Sequence, residues 1–117
     1  MDLSDYNFYH TIDLPGFGTM MGQWDLRPGI DRYLGDVRFG GKRVLDVGCA
    51  NGFLSFHLER CGAEVVSFDM DENQEWDIVP YSGLNIDKFV ADKKDRVRKL
   101  NNAYRLARRV DFSVTVV

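Results

Sequence analysis

Arg43-Val44-Leu45-Asp46-Val47 runs straight into Gly48-Cys49-Ala50-Asn51-Gly52, and Phe53 opens the next segment. The first five residues are β-rich and mostly apolar, as a short buried strand requires. The next five are small and flanked by glycine, which lets the backbone turn sharply. From Phe53 to Arg60 the apolar residues take helical spacing, with Leu54, Leu58 and Cys61 on one stripe and Phe53 and Phe56 beside it. Gly62 is placed to end that helix. Glu64-Val65-Val66-Ser67-Phe68-Asp69 then reads as a second strand. The unit from Arg43 to Asp69 is close to the ~30 residues of a parallel β-α-β crossover.

Upstream, His10 to Trp24 contains Pro15, Gly16, Gly18 and Gly22 and reads as a loop-rich entry segment. Asp25 is placed to cap a short helix reaching Leu34, which Gly35 terminates. Downstream, residues 72–84 look irregular, with Pro80 and Gly83. A long helix is expected from Asn85 to Arg109, with a break near Asp92 as the alternative. Its apolar face is Ile86, Phe89, Val90, Val97, Leu100, Tyr104 and Ala107. Phe112 to Val117 reads as a third strand. The expected architecture is α/β, a Rossmann-like doubly wound and mostly parallel sheet with about three strands present. Residues 1–40 are expected as an N-terminal loop and short helix cap, and 41–117 as the Rossmann-like part.

The chain has 117 residues, 44% hydrophobic and 28% charged, an ordinary globular composition that excludes disordered and fibrous classes. No apolar run approaches the ~20 residues of a membrane span. Acidic residues in Met1-Asp2-Leu3-Ser4-Asp5 argue against a signal peptide, so a cytoplasmic location is expected. Charge is uneven. Residues 1–87 hold 6 basic and 15 acidic side chains, whereas 88–117 hold 9 basic and 3 acidic. The basic stretch favours a solvated helix face over a nucleic-acid surface, since exposed helices are commonly charged. Cys49 and Cys61 are too few for a disulfide scaffold and read as reduced thiols. There is no C-x-x-C or H-E-x-x-H segment, and His10 and His57 are far apart, so no metal site is expected.

The turn and the acids around it carry the chemistry. A strand ending in a glycine turn before a helix offers backbone N–H groups to a ligand. Asp69, at the end of the adjacent strand, is placed to accept hydrogen bonds from ribose hydroxyls. The dinucleotide pattern G-x-G-x-x-G fits only at Gly48, because Ala50 and Phe53 occupy the other two positions. Asp46 opposes a pyrophosphate and suits an ammonium group. S-adenosylmethionine, with an amino group, a sulfonium and a ribose but no phosphate, is therefore favoured over NAD. The Walker lysine is absent, which removes a P-loop nucleotidase.

These residues resemble class I S-adenosylmethionine-dependent methyltransferases. Gly41 to Phe53 is similar to their first motif, and Val65 to Asp71 to the segment that binds the adenosine ribose. His10 to Leu14 and Gly22 to Pro28 are similar to the subgroup related to tRNA wobble-uridine carboxymethyltransferases. The resemblance implies that Asp46 and the backbone of Gly48, Cys49, Ala50, Asn51 and Gly52 hold the methionine part of the cofactor. It implies that Asp69 binds the ribose, that Met70 lies against the adenine and that Trp24 closes over the cofactor. For Trp24 a core anchor, and for Met70 simple packing, stay open. No catalytic residue is assigned.

The family sheet is seven-stranded, so this chain is expected to supply about half of it. The strand Arg43–Val47 would then present an open edge and an apolar face, to be covered by a second copy or a complementing chain. Three functions follow: a methyltransferase acting on a small molecule or tRNA, a cofactor-binding module without catalysis of its own, and, less favoured, an NAD-dependent oxidoreductase.

Overall fold

The computed structural model describes residues 2–110 in full and the backbone of 111, 115 and 116. It is a mixed α/β structure with two small sheets. The first is an antiparallel hairpin of β1 (Ile12–Leu14) and β2 (Gly18–Met20). This corrects the loop expected for residues 10–24. Ile12 and Leu14 are 1% and 2% exposed, so the hairpin is anchored by the alternation of two core residues across Asp13. Three-residue strands around a Pro-Gly turn give too short a period to stand out from their glycines.

The helix expected from Asp25 is also shorter. Residues Arg27–Gly29 form a 3-10 turn, and α1 covers only Ile30–Tyr33. Asp25 is not the cap of α1: its Oδ1 accepts from the Arg27 N–H at 3.1 Å, whereas the N-cap positions of the 3-10 turn and of α1 fall on Leu26 and Gly29, neither with a side-chain cap bond. Pro28 and Gly29 confine regular α-helix to the single turn that follows.

The second sheet is parallel. It contains β3 (Arg43–Val47), β4 (Glu64–Phe68) and β5 (Thr115–Val116) in that order. Helix α2 (Phe53–Arg60) joins β3 to β4, and α3 (Ile86–Asp111) precedes β5. The expected elements from Arg43 onward are present, the third strand seen at Thr115–Val116 with 112–114 and 117 outside the described residues; β3, expected as a buried strand, instead alternates half-buried and exposed residues because one face of the sheet is uncovered. Helix α3 does not break at Asp92. Asn85 accepts from the Lys88 N–H at 3.0 Å and fixes its start, and Asp92 pairs along the helix with Lys88 at 2.9 Å.

One face of the parallel sheet is covered. Val65 packs with Phe56 and Leu58 of α2, Tyr104 and Ala107 of α3, and Ile12 and Leu14 of the hairpin in one apolar cluster. Phe56 is fully buried at 0%. The alternate residues of the strands point the other way. Leu45 and Val47 are 61% and 68% exposed, and Phe68, the register partner of Val47, is 47% exposed. Among the described residues β4 is the one strand paired with β3, so the outer edge of β3 carries no ladder there. No helix among the described residues is long and apolar enough to cross a membrane.

Candidate functional site

The carboxyl ends of β3 and β4 lie side by side, Val47 opposite Phe68. The chain leaves β3 in a turn whose start is pinned to β4, with the N–H groups of Gly48 and Cys49 donating to the Phe68 carbonyl at 2.8 and 3.3 Å. Gly48, Ala50 and Gly52 take positive φ of 78°, 52° and 90°. A Cβ on Gly52 would lie 2.4 Å from the Phe56 ring, so that position admits glycine alone. A Cβ on Gly48 would meet nothing within 4 Å, so the space in front of the turn is open. Ala50 holds the left-handed conformation against its own Cβ, a strain of ~1–2 kcal/mol. Its N–H donates to Asp69 Oδ2 at 2.7 Å, while Asp69 Oδ1 accepts from the Met70 N–H at 2.7 Å. One carboxylate thus ties together the two loops that leave the adjacent strands. Each oxygen keeps a lone pair for a further donor.

A cavity of about 550 Å³ opens beside this junction. Ala50, Asp69 and Met70 line one side, and Asn101, Arg105 and Arg108 of α3 line another. Of the residues the sequence singled out, Cys49, Ala50, Asp69 and Met70 reach this cavity; Asp46, Gly48, Asn51, Gly52 and Trp24 are not among its walls. Cys49 is buried, and burial, followed by the Asp69 and Asp46 carboxylates, pushes its thiol up to about 12. It is an inert wall residue rather than a nucleophile.

Asp46 ends a buried hydroxyl chain. Tyr104 Oη donates to Ser67 Oγ at 2.9 Å, Ser67 Oγ to Ser55 Oγ at 2.6 Å, and Ser55 Oγ to Asp46 Oδ2 at 2.7 Å. The chain links α3, β4, α2 and β3 in sequence, each bond polarising the next. Burial raises the Tyr104 phenol above its ordinary value, so it stays a donor.

Asn51 and Trp24 do other work than contact at the cavity. Asn51 is 0% exposed. Its Oδ1 accepts from the N–H groups of Tyr9 and His10 at 3.0 and 2.8 Å, and its Nδ2 donates to the His10 carbonyl at 3.0 Å. The side chain is therefore spent on clamping the N-terminal segment beneath the turn. Trp24 completes that clamp through its backbone, donating to Tyr9 O at 3.0 Å and accepting from the Thr11 N–H at 2.8 Å. Its side chain is 58% exposed, which answers the core-anchor reading in the negative.

The α3 wall was not anticipated from sequence. Asn101, Tyr104, Arg105 and Arg108 recur at spacings of 3, 1 and 3 and so share one helix face. Asn101 Nδ2 donates to the Met70 carbonyl at 3.2 Å, fastening that wall to the loop after β4. The polar residues of the stripe were masked by their place within a generally basic helix.

Comparison with known proteins bears on the same chemistry. No family model matches the chain, and no solved structure matches it. Curated relatives match over short stretches. The chain is 62% identical over 32 residues to a ubiquinone biosynthesis O-methyltransferase of Hahella chejuensis, covering 27% of this chain and 13% of that protein. It is 54% identical over 43 residues to the protein of the same name from Ruegeria pomeroyi, covering 36% and 17%. It is 44% identical over 41 residues to a ribosomal protein L11 methyltransferase of Helicobacter hepaticus, covering 35% and 13%. The matches thus span 13–17% of the relatives' own length. The common term in these names is methyltransferase, and nothing in them supports the wobble-uridine subgroup expected from the upstream residues.

Proposed function

We propose that this chain is the cofactor-binding part of a methyltransferase of Rossmann-like fold and binds S-adenosylmethionine at the carboxyl ends of β3 and β4. The observation that carries this reading is the Asp69 carboxylate, held by the Ala50 and Met70 N–H groups at the mouth of an open cavity. The remaining lone pairs on Asp69 suit two ribose hydroxyls. Met70, 40% exposed on the cavity wall, offers a polarisable surface for adenine. Gly48, with no Cβ and open space before it, admits the methionine portion close to the backbone. The names of the relatives favour the same class of reaction, and that of the O-methyltransferases favours an oxygen acceptor.

When bound, S-adenosylmethionine supplies a methyl group already activated by its sulfonium. The contribution left to the protein is alignment and exclusion of water. Asp69 orients the ribose, the turn from Gly48 to Gly52 fixes the distance to β3, and α3 closes the far side. A cofactor-binding module without catalysis of its own uses these same contacts.

A second reading has one observation in its favour. Arg105 and Arg108 on the cavity wall suit an anionic ligand such as the phosphates of NAD. Calorimetric titration of the chain with S-adenosylmethionine and with NAD separates the two. Binding of S-adenosylmethionine alone is the expected result; binding of NAD alone overturns the proposal. A methyl-transfer assay on oxygen acceptors then distinguishes an enzyme from a binding module.

A further inference from the structure

We propose that Asp31, His57 and Cys61 form a three-ligand site for a zinc-like divalent cation, away from the cavity described above. Asp31 lies on α1, His57 on α2, and Cys61 is the residue at which α2 ends. Nε2 of His57 is 3.2 Å from Asp31 Oδ1 and 3.5 Å from Cys61 Sγ. All three ligand atoms lie within 4.8 Å of one another. Tetrahedral zinc, with Zn–N and Zn–O near 2.0–2.2 Å and Zn–S near 2.3 Å, places neighbouring N and O ligands about 3.3 Å apart and N and S ligands about 3.5 Å apart. The two contacts to Nε2 have those separations before any ion is considered.

A hydrogen bond accounts for the Asp31–His57 contact and leaves the Cys61 sulfur as a weak neighbour at 3.5 Å, whereas a cation would engage all three atoms. A Cys-His-Asp relay needs the thiol at one ring nitrogen and the carboxylate at the other. Here both converge on Nε2. If Nε2 carries a proton, it has one donor for two acceptors. If it does not, its lone pair faces the carboxylate. A cation would take a lone pair from each of the three atoms, with the Asp31 oxygen and the Cys61 sulfur drawn in from their separation of up to 4.8 Å toward the ~3.6 Å of a tetrahedral pair.

The ligand types agree. One nitrogen, one sulfur and one oxygen make a borderline-soft set that suits zinc and disfavours magnesium or calcium. A carboxylate and a thiolate neutralise a divalent charge. His57 and Cys61 are four apart, so they stack on one helix face, which sequence spacing allows but does not reveal without Asp31. The side chains of His57 and Asp31 are 19% and 79% exposed, so ions have access from solvent.

The test uses the full chain and cobalt(II) as the probe, with zinc as competitor. Wild type is expected to bind one cobalt with the intense visible bands of a tetrahedral site and a near-ultraviolet thiolate-to-metal band, both bleached by zinc. Cys61→Ser should lose the thiolate band. Asp31→Asn, at an exposed position that leaves folding intact, should weaken zinc by at least about tenfold, a scale on which even outer partners of metal sites act. Zinc should also slow alkylation of Cys61 in wild type and not in Asp31→Asn. Absence of cobalt binding, or binding with the same spectrum and affinity in both variants, overturns the proposal.

Discussion

The carboxylate of Asp69 accepts a 2.7 Å hydrogen bond from the backbone N–H of Ala50, a residue held at φ 52°. The bond crosses from the loop after β4 to the turn after β3, and it holds an alanine where glycine is at ease. Two opposed effects set the outcome of Ala50→Gly. Glycine relieves the left-handed strain of ~1–2 kcal/mol, and it adds unfolded-chain entropy of ~0.4–1 kcal/mol. The variant is expected to be neutral or up to about 1.5 kcal/mol more stable in urea denaturation. A clear loss of stability would show that the Ala50 methyl makes contacts that matter more than its strain.

Asn51 is expected to be a stability residue. Asn51→Ala leaves the part-buried N–H groups of Tyr9 and His10 and the His10 carbonyl without their partner. Each unsatisfied group costs ~1–3 kcal/mol, reduced where water enters, so a total loss of about 2–4 kcal/mol is expected. Hydrogen exchange should locate the loosening in residues 7–24. An Asn51→Ala variant as stable as wild type would mean that the N-terminal segment docks through its apolar residues alone.

His10 gives the fold a pH dependence of known sign. Burial holds its imidazole below the ordinary value, the Asp46 carboxylate opposing, and its Nδ1 is buried without a hydrogen-bond partner among the described residues. Below about pH 6.5 the unfolded chain takes up a proton that the folded chain resists. This contribution is therefore full above about pH 6.5 and is lost as pH falls through the folded value. The melting temperature of wild type should drop from pH 7.5 to pH 5.5 by more than that of His10→Gln. Equal pH slopes in the two proteins would remove His10 as the cause.

The two thiols are expected to differ sharply toward alkylation. With its pKa pushed up to about 12, Cys49 holds roughly one part in ten thousand of thiolate at pH 8. Cys61 is exposed. Iodoacetamide in metal-free buffer should label Cys61 and spare Cys49 in the native chain, as read by peptide mass spectrometry. Rapid labelling of Cys49 would mean that the turn opens readily.

The sequence made β3, α2 and β4 legible because each carries its own punctuation. Val44 to Val47 end at Gly48, and the apolar stripe of α2 ends at Gly62. The uncovered face was expected only through the resemblance to a seven-stranded family; Val44 to Val47 by themselves read as a buried strand, because an apolar run does not say which of its two faces is covered. The hairpin was not legible, because Ile12 and Leu14 bury themselves in a cluster with residues about 40 positions away, such as Phe53 and Phe56. For the same reason the work of the Asn51 side chain was not legible, only its place in the turn. Its partners, Tyr9 and His10, are about 40 residues upstream, and nothing in the turn itself points to them. Arg105 and Arg108 show a different loss. Their charge was visible, but which side of α3 meets the loop after β4 depends on a contact, Asn101 to Met70, that only the folded chain makes.

The central claim rests on Asp69 as the ribose-binding carboxylate, and titration calorimetry of wild type and Asp69→Ala with S-adenosylmethionine tests it most directly. Loss of charge-assisted hydrogen bonds to the cofactor amounts to ~1–3 kcal/mol, so the variant is expected to bind about 5- to 150-fold more weakly while its circular dichroism remains that of the wild type. Equal affinity in a folded Asp69→Ala protein, or no binding by wild type, would contradict the account.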